Sequence, residues 1–319
     1  MLQELGATPP NPSGLSGPPV LPTPYPSRQA TGPEFELAEG ILWDDRRHEV
    51  VWVEILSGEV HVAGFDGNTL APHRVLTVGP TVGAVALAED GGYLLAGSRG
   101  LATLSPDAVL QRGPDLLGDR QDVRLNDGTV DPQGRFLVGT LSLTGPTGLE
   151  RLLRISPDGT VETVRTGLSL SNGVAFSPDG ATVYHVDTLR HSVESHSYGP
   201  GDIDLDEPWV PIRAAFAGLP DGMVVDTEGL LWIAQWGAGR VQRFTPDGTL
   251  VAEVAVDAPH VSCMGFIGPG RDTLAITTAR EGLAAPTPAS GALFLAEVGA
   301  TGLPEHRWAG STVAPSWVT

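Results

Sequence analysis

Six copies of one kind of turn, 41–49 residues apart, limit what this chain can fold into more than any other feature. They are Asp44-Asp45-Arg46-Arg47, Glu89-Asp90-Gly91-Gly92, Asp131-Pro132-Gln133-Gly134, Ser177-Pro178-Asp179-Gly180, Asp226-Thr227-Glu228-Gly229 and Gly268-Pro269-Gly270, anchored at residues 47, 92, 134, 180, 229 and 270. Asp, Pro and Gly favour the dihedrals of a tight reversal. A run rich in β-branched and aromatic residues follows each turn, at 50–55, 93–98, 135–141, 182–187, 230–236 and 273–278. Further turns of the same chemistry, Ser156-Pro157-Asp158-Gly159 and Thr245-Pro246-Asp247-Gly248, close third strands. A period in the forties with three or four short strands per unit is the signature of a propeller blade. A β-sandwich also has many short strands, but it does not repeat one turn six times at this interval. The expectation is an all-β chain folded as a six-bladed β-propeller over residues 31–319.

Residues 1–30 break the pattern. Eight prolines crowd this stretch, between Pro9 and Pro26, with few apolar residues. It reads as a flexible or extended leader outside the core. Elsewhere, 38 acidic against 19 basic residues give a net charge of −19. That balance argues against nucleic acid or an anionic membrane as partner, because phosphate binding needs a basic face. The single cysteine, Cys263, rules out an intrachain disulfide, and its apolar setting (Cys263-Met264-Gly265-Phe266-Ile267) points to packing. No apolar run reaches the length of a membrane span, and the start lacks a basic segment followed by an apolar one. A cytoplasmic location is therefore expected.

The repeats also align a set of polar residues. Glu39, Asn126, Asn172 and Asp221 each lie eight positions before their turn anchor, and a glycine follows each within two residues. The equivalent residues in the second and sixth repeats are the small Ala84 and Ser262. In a propeller the first strand of every blade lines the central channel, so these side chains should ring one mouth. Any single Asn-Gly or Asp-Gly is ordinary turn chemistry. Four oxygen-bearing side chains at one repeat position instead suggest a divalent cation with room beside it for water and substrate. Glycine next to them allows close backbone approach or a positive φ.

The chain resembles the regucalcin/gluconolactonase family of sugar lactonases over residues 35–310. The resemblance rests on Ala38-Glu39-Gly40-Ile41-Leu42-Trp43-Asp44, Arg124-Leu125-Asn126-Asp127-Gly128, Asp131-Pro132-Gln133-Gly134-Arg135-Phe136, Ser171-Asn172-Gly173, Pro220-Asp221-Gly222-Met223, Leu231-Trp232-Ile233-Ala234 and Ser290-Gly291-Ala292-Leu293-Phe294. It implies that Glu39, Asn172 and Asp221 hold one divalent metal (calcium, zinc, manganese and iron(II) being admissible). It further implies that Asp221 acts as general base on water, and that Arg124 and Asn126 contact oxygens of a small-molecule lactone. A Lewis acid would polarise the carbonyl while the carboxylate deprotonates the attacking water. One segment departs from the family. Gly139-Thr140-Leu141-Ser142-Leu143-Thr144 lacks the acidic residue that members acting on hexonolactones often carry there. Glu150 is the candidate replacement, and a smaller or less hydroxylated lactone is the implied substrate.

Two other functions compete with the lactonase reading. One is a non-catalytic propeller that binds calcium or docks partners; the other is a phosphotriesterase-like hydrolase. No Gly-x-Ser-x-Gly elbow, zinc-protease histidine pair or nucleotide-binding glycine loop occurs. His185 and His191 read as structural, and Asp127 as a turn former. Asp187 is open between supporting the site and shaping a turn, and Trp236 between walling the pocket and packing.

Overall fold

In every repeat the turn joins two antiparallel strands, and the first of the pair holds the position singled out above. A computed structural model describes residues 21–201, 203, 204 and 206–317. Ala38–Asp44 pairs with Glu49–Glu54, Val82–Leu87 with Tyr93–Gly97, and Val123–Val130 with Phe136–Ser142. Ser171–Phe176 pairs with Thr182–Asp187, Leu219–Val225 with Leu231–Trp236, and His260–Ile267 with Thr273–Ala279. The turns are pinned by buried carboxylates. Asp131 accepts the Gln133 and Arg135 N–H groups, and Asp226 accepts those of Glu228 and Leu230. Gly134, Gly180 and Gly229 take positive φ, as the reversal demands.

The fold is all-β and propeller-like. Among the described residues the only helix is a single 3-10 turn, Thr188–Arg190. The described residues form four separate sheets of four strands each and a fifth of nine. The nine strands are joined across their middle by one residue pair, Trp236 with His260. Each innermost strand packs on the next around an axis, and His260–Ile267 packs back on Ala38–Asp44 to complete the circuit. Hydrophobic clusters fill the spaces between neighbouring sheets, with Trp43, Trp52, Trp232 and Trp308 almost wholly buried.

The expected leader needs correction. Its first 20 residues lie outside the described residues, but Thr23–Pro26 forms a parallel strand beside Leu250–Ala255. Arg28–Gln29 then pairs with Phe294–Glu297. Proline is tolerated there because both are edge positions that need few N–H donors. The boundary expected at residue 30 therefore falls inside sheet-forming chain. At the other end, Gly302 N–H bonds Arg271 O (2.8 Å), Trp308 N–H bonds Leu87 O (2.8 Å), and Ala309 N–H bonds Gly134 O (3.0 Å). The C-terminal segment thus crosses the turn-bearing end of the ring, opposite the end where the innermost strands begin.

Candidate active site

All six innermost strands are irregular where they begin. Each contains one more residue than its partner between successive pairs: Glu39 to Leu42, Val82 to Ala84, Leu125 to Gly128, Ser171 to Val174, Pro220 to Met223 and Val261 to Cys263. A bulge turns the local strand and re-aims its side chains. Asn126, Asn172 and Asp221 lie within their bulges, and Glu39 is the last paired residue before its own. Gly40 adopts φ +57°, whereas Gly173 serves by smallness: a Cβ there would lie 2.6 Å from the Asp221 carbonyl oxygen. Both uses of glycine anticipated from sequence are present.

These strands bring Glu39, Arg124, Asn126, Asn172 and Asp221 to the floor of one cavity of about 390 Å³. All five are 5–8% exposed. They form a connected polar chain. Arg124 Nη1 donates to Asn126 Oδ1 (2.7 Å) and to Leu125 O (3.0 Å). Asn126 Nδ2 donates to Ser171 O (2.9 Å) and to Asn172 Oδ1 (3.3 Å). Asn172 Nδ2 donates to Asp221 Oδ1 and to Thr188 Oγ1 (3.1 Å). With the amide in this orientation, offering Oδ1 beside Asp221 takes a half-turn of its plane.

Burial pushes the Glu39 carboxyl up to about 8, with the field of Asp127 adding to it; the Gly40 N–H, Arg124 and Cys263 oppose. Asp221 is raised well above the usual carboxylate range, first by burial and then by Glu39 and Asp127, against Arg124 and Asn172. Burial lifts Asp127 to about 6 and brings Arg124 down to about 10, the latter opposed by Glu39, Glu281 and Asp221. Three carboxylates and one guanidinium therefore share a poorly solvated centre, an imbalance that further positive charge would relieve. Among the described residues no group of three or more His, Cys, Asp or Glu side chains forms a metal-holding cluster. The donor set here is instead two carboxylates with amide oxygens, which suits a hard cation.

Other sequence expectations resolve unevenly. Asp127 is no turn former: it lies within Val123–Val130, its carboxylate accepting the Gly128 N–H (2.7 Å). Glu150 does not join the cavity. It is fully buried beneath the preceding loop, where it accepts bonds from Thr147 Oγ1 (2.8 Å) and Leu149 N–H (3.1 Å). Trp236 does line the cavity, with its ring stacked on His260. Asp187 holds the Ser169 and Leu170 N–H groups just ahead of Asn172, so it supports the site through the backbone. His185 is structural, bonded to Ser171 Oγ (2.8 Å) and Arg165 Nη1 (3.0 Å). Glu281 and the apolar wall (Leu56, Leu143 and Leu189 among them) were missed. The three leucines each lie nine residues after a turn anchor, at 47, 134 and 180, a spacing that could have marked them; Glu281 has no such signal.

Residues 37–280 match the family described as the SMP-30/Gluconolactonase/LRE-like region. The chain belongs to this family. Pentonolactonase XacC of Haloferax volcanii is 34% identical over 281 residues, covering 85% of this chain and 94% of that protein. The 6-deoxy-6-sulfogluconolactonase of Pseudomonas putida is 33% identical over 286 residues, covering 86% and 95%. A crystal structure of regucalcin, a calcium-binding protein from Agrobacterium tumefaciens, superposes with a TM-score of 0.80 at 28% identity, covering 90% of this chain and 99% of that one. Within the family's matched span lie all five residues of the cavity floor.

Proposed function

We propose that this chain hydrolyses a sugar-derived lactone at the cavity floored by Glu39, Arg124, Asn126, Asn172 and Asp221. The observation that carries the reading is the convergence of those five buried side chains, from four different strands, in a chain whose similar proteins include named sugar lactonases. In this reading the nine-stranded sheet counts as two blades joined at the Trp236–His260 pair. The propeller then has six blades, with strands from residues 23–29 at its outer edge.

Glu39, Asn172 and Asp221 are the residues that would hold one divalent cation. Bound there, such a cation would polarise the lactone carbonyl and offset the charge of the tetrahedral intermediate. Asp221 accepts the proton of the attacking water as its oxygen bonds to the carbonyl carbon. The ring C–O bond then breaks, and the departing ring oxygen takes a proton, leaving a hydroxy acid. Arg124 and Asn126 hold substrate oxygens, and the Arg124 charge favours the ionised form of Asp221. Water must reach Asp221 in the carboxylate state, so positive charge at the floor serves the base as well as the substrate.

The test is lactone ring-opening by chelator-treated protein, resupplied separately with calcium, manganese, zinc or iron(II), beside the Asp221→Ala variant. Metal-restored turnover that the variant lacks supports the proposal. Equal turnover in the variant removes Asp221 from its role. A second reading, a calcium-binding regulator without turnover, draws on the likeness to regucalcin, a calcium-binding protein. It predicts cation binding at the same residues with no hydrolysis of any lactone.

A further inference from the structure

The walls of the cavity differ sharply from its floor. Leu56, Leu143 and Leu189 line it although they are 43%, 62% and 41% exposed. Among the described residues five leucines stand exposed, and three of them meet at this one mouth. Scattered surface leucines need no explanation, but a cluster around a cavity does. Deeper, Leu170, Leu219 and Trp236 continue the same surface. The Trp236 ring is held as a flat wall by stacking on His260, with centroids 4.0 Å apart and planes at 20°. Leu143 is fixed by its N–H bond to Asp122 O (2.7 Å), and Leu189 sits in the 3-10 turn Thr188–Arg190.

Outside the floor the polar lining residues are Ser142, Thr188 and Glu281, and the two hydroxyls are already engaged. Thr188 Oγ1 accepts from Asn172 Nδ2 (3.1 Å), and Ser142 Oγ faces Thr144 Oγ1 (3.2 Å). A polyhydroxyl arm lying along the leucines would find few partners there to replace its hydration. An alkyl arm would gain about 4-fold for each methylene removed from water. A cavity of about 390 Å³ has room for an arm as well as a ring, since small-molecule sites span about 300–1,000 Å³.

We infer that the preferred substrate is a lactone whose exocyclic arm is apolar, alkyl or deoxy in place of polyhydroxyl. Its ring carbonyl meets the polar floor, and its arm lies along Leu56, Leu143, Leu189 and Trp236. This rests on the lactone-hydrolysis chemistry proposed above and departs from it in the arm, which is apolar where a sugar-derived lactone carries hydroxyls. Leu56, Leu143, Leu189 and Trp236 are specificity residues, acting on the arm and not on the reacting bond.

The experiment measures kcat/KM of the metal-supplied full chain on δ-lactones with an exocyclic hydrogen, methyl, propyl or pentyl group. Glucono-δ-lactone and a pentono-lactone are run beside them. The expected result is a rise of about 3- to 4-fold per methylene, with both sugar lactones below the propyl compound. In the double variant Leu143→Ser/Leu189→Ser the rise per methylene falls below 2-fold; these exposed positions leave the fold intact, as melting checks. A flat alkyl series with the sugar lactones opened fastest overturns the apolar-arm inference and leaves the lactonase reading standing. Failure to open any compound with any of the cations overturns both.

Discussion

Gly173→Ala tests whether the neighbouring strands must touch for the site to work. Gly173 sits in the bulge beside Asn172, against the strand that carries Asp221. An added Cβ would lie 2.6 Å from the Asp221 carbonyl oxygen and 2.9 Å from Met223 N, where ordinary contact begins at 3.4 Å. Because both obstacles include backbone, no rotamer change relieves them, and the two strands must part by about 0.8 Å. Overpacking of this kind costs about 1–3 kcal/mol, and each kcal/mol lowers Tm by roughly 2–4 °C in a large domain. The same displacement moves Asp221 relative to Asn172, and a shift near 1 Å at a reacting group costs on the order of 100-fold. The variant should therefore lose about 30- to 100-fold in kcat/KM, more than its modest loss of stability accounts for. Gly64→Ala is the control, since nothing lies within 4 Å of its added Cβ. Calorimetry and lactone turnover are the assays. If Gly173→Ala matches Gly64→Ala in both, the close approach is not what sets the geometry of the floor.

Two further outcomes follow from the buried charges. Asp221→Asn should lower turnover by about 10²–10⁴-fold, the usual contribution of a general base, while the cation-free protein melts higher because a costly buried carboxylate is gone; a lower Tm would contradict the electrostatic account. His185 is held well below its ordinary value by burial first and by Arg165 second, so the folded state resists a proton that the unfolded chain accepts. Its stabilising contribution is complete above about pH 6.5 and is lost as pH falls below it. Urea unfolding of His185→Gln should show a stability profile flatter than that of the parent between about pH 7.5 and 5.5.

The turns and the ligand positions were legible because a repeat converts sequence spacing into angular position. Eight residues before each turn anchor is the same height on every inner strand, so Glu39, Asn126, Asn172 and Asp221 could be grouped without knowing any contact. The bulges were not legible. They depend on counting residues against a partner strand, and that count is set by pairing. Thr23–Pro26 was hidden by its prolines, which read as a leader although an edge strand accepts them. Asp127 was misjudged because Asp-Gly marks a turn only outside a bulge, where both residues belong to the strand. Glu150 illustrates the opposite error: loop proximity in sequence placed it near the site, while Thr147 and Leu149 bind its carboxylate under the loop. The leucine wall carries a shared spacing, since Leu56, Leu143 and Leu189 each lie nine residues after a turn anchor, but spacing alone does not show that an exposed leucine faces a cavity.

The most direct measurement is anomalous diffraction from crystals soaked in manganese. Our account predicts a single strong peak within bonding distance of carboxylate oxygens from both Glu39 and Asp221 and of the Asn172 amide oxygen. A manganese ion seated elsewhere, with those two carboxylates too far apart to share it, would contradict it.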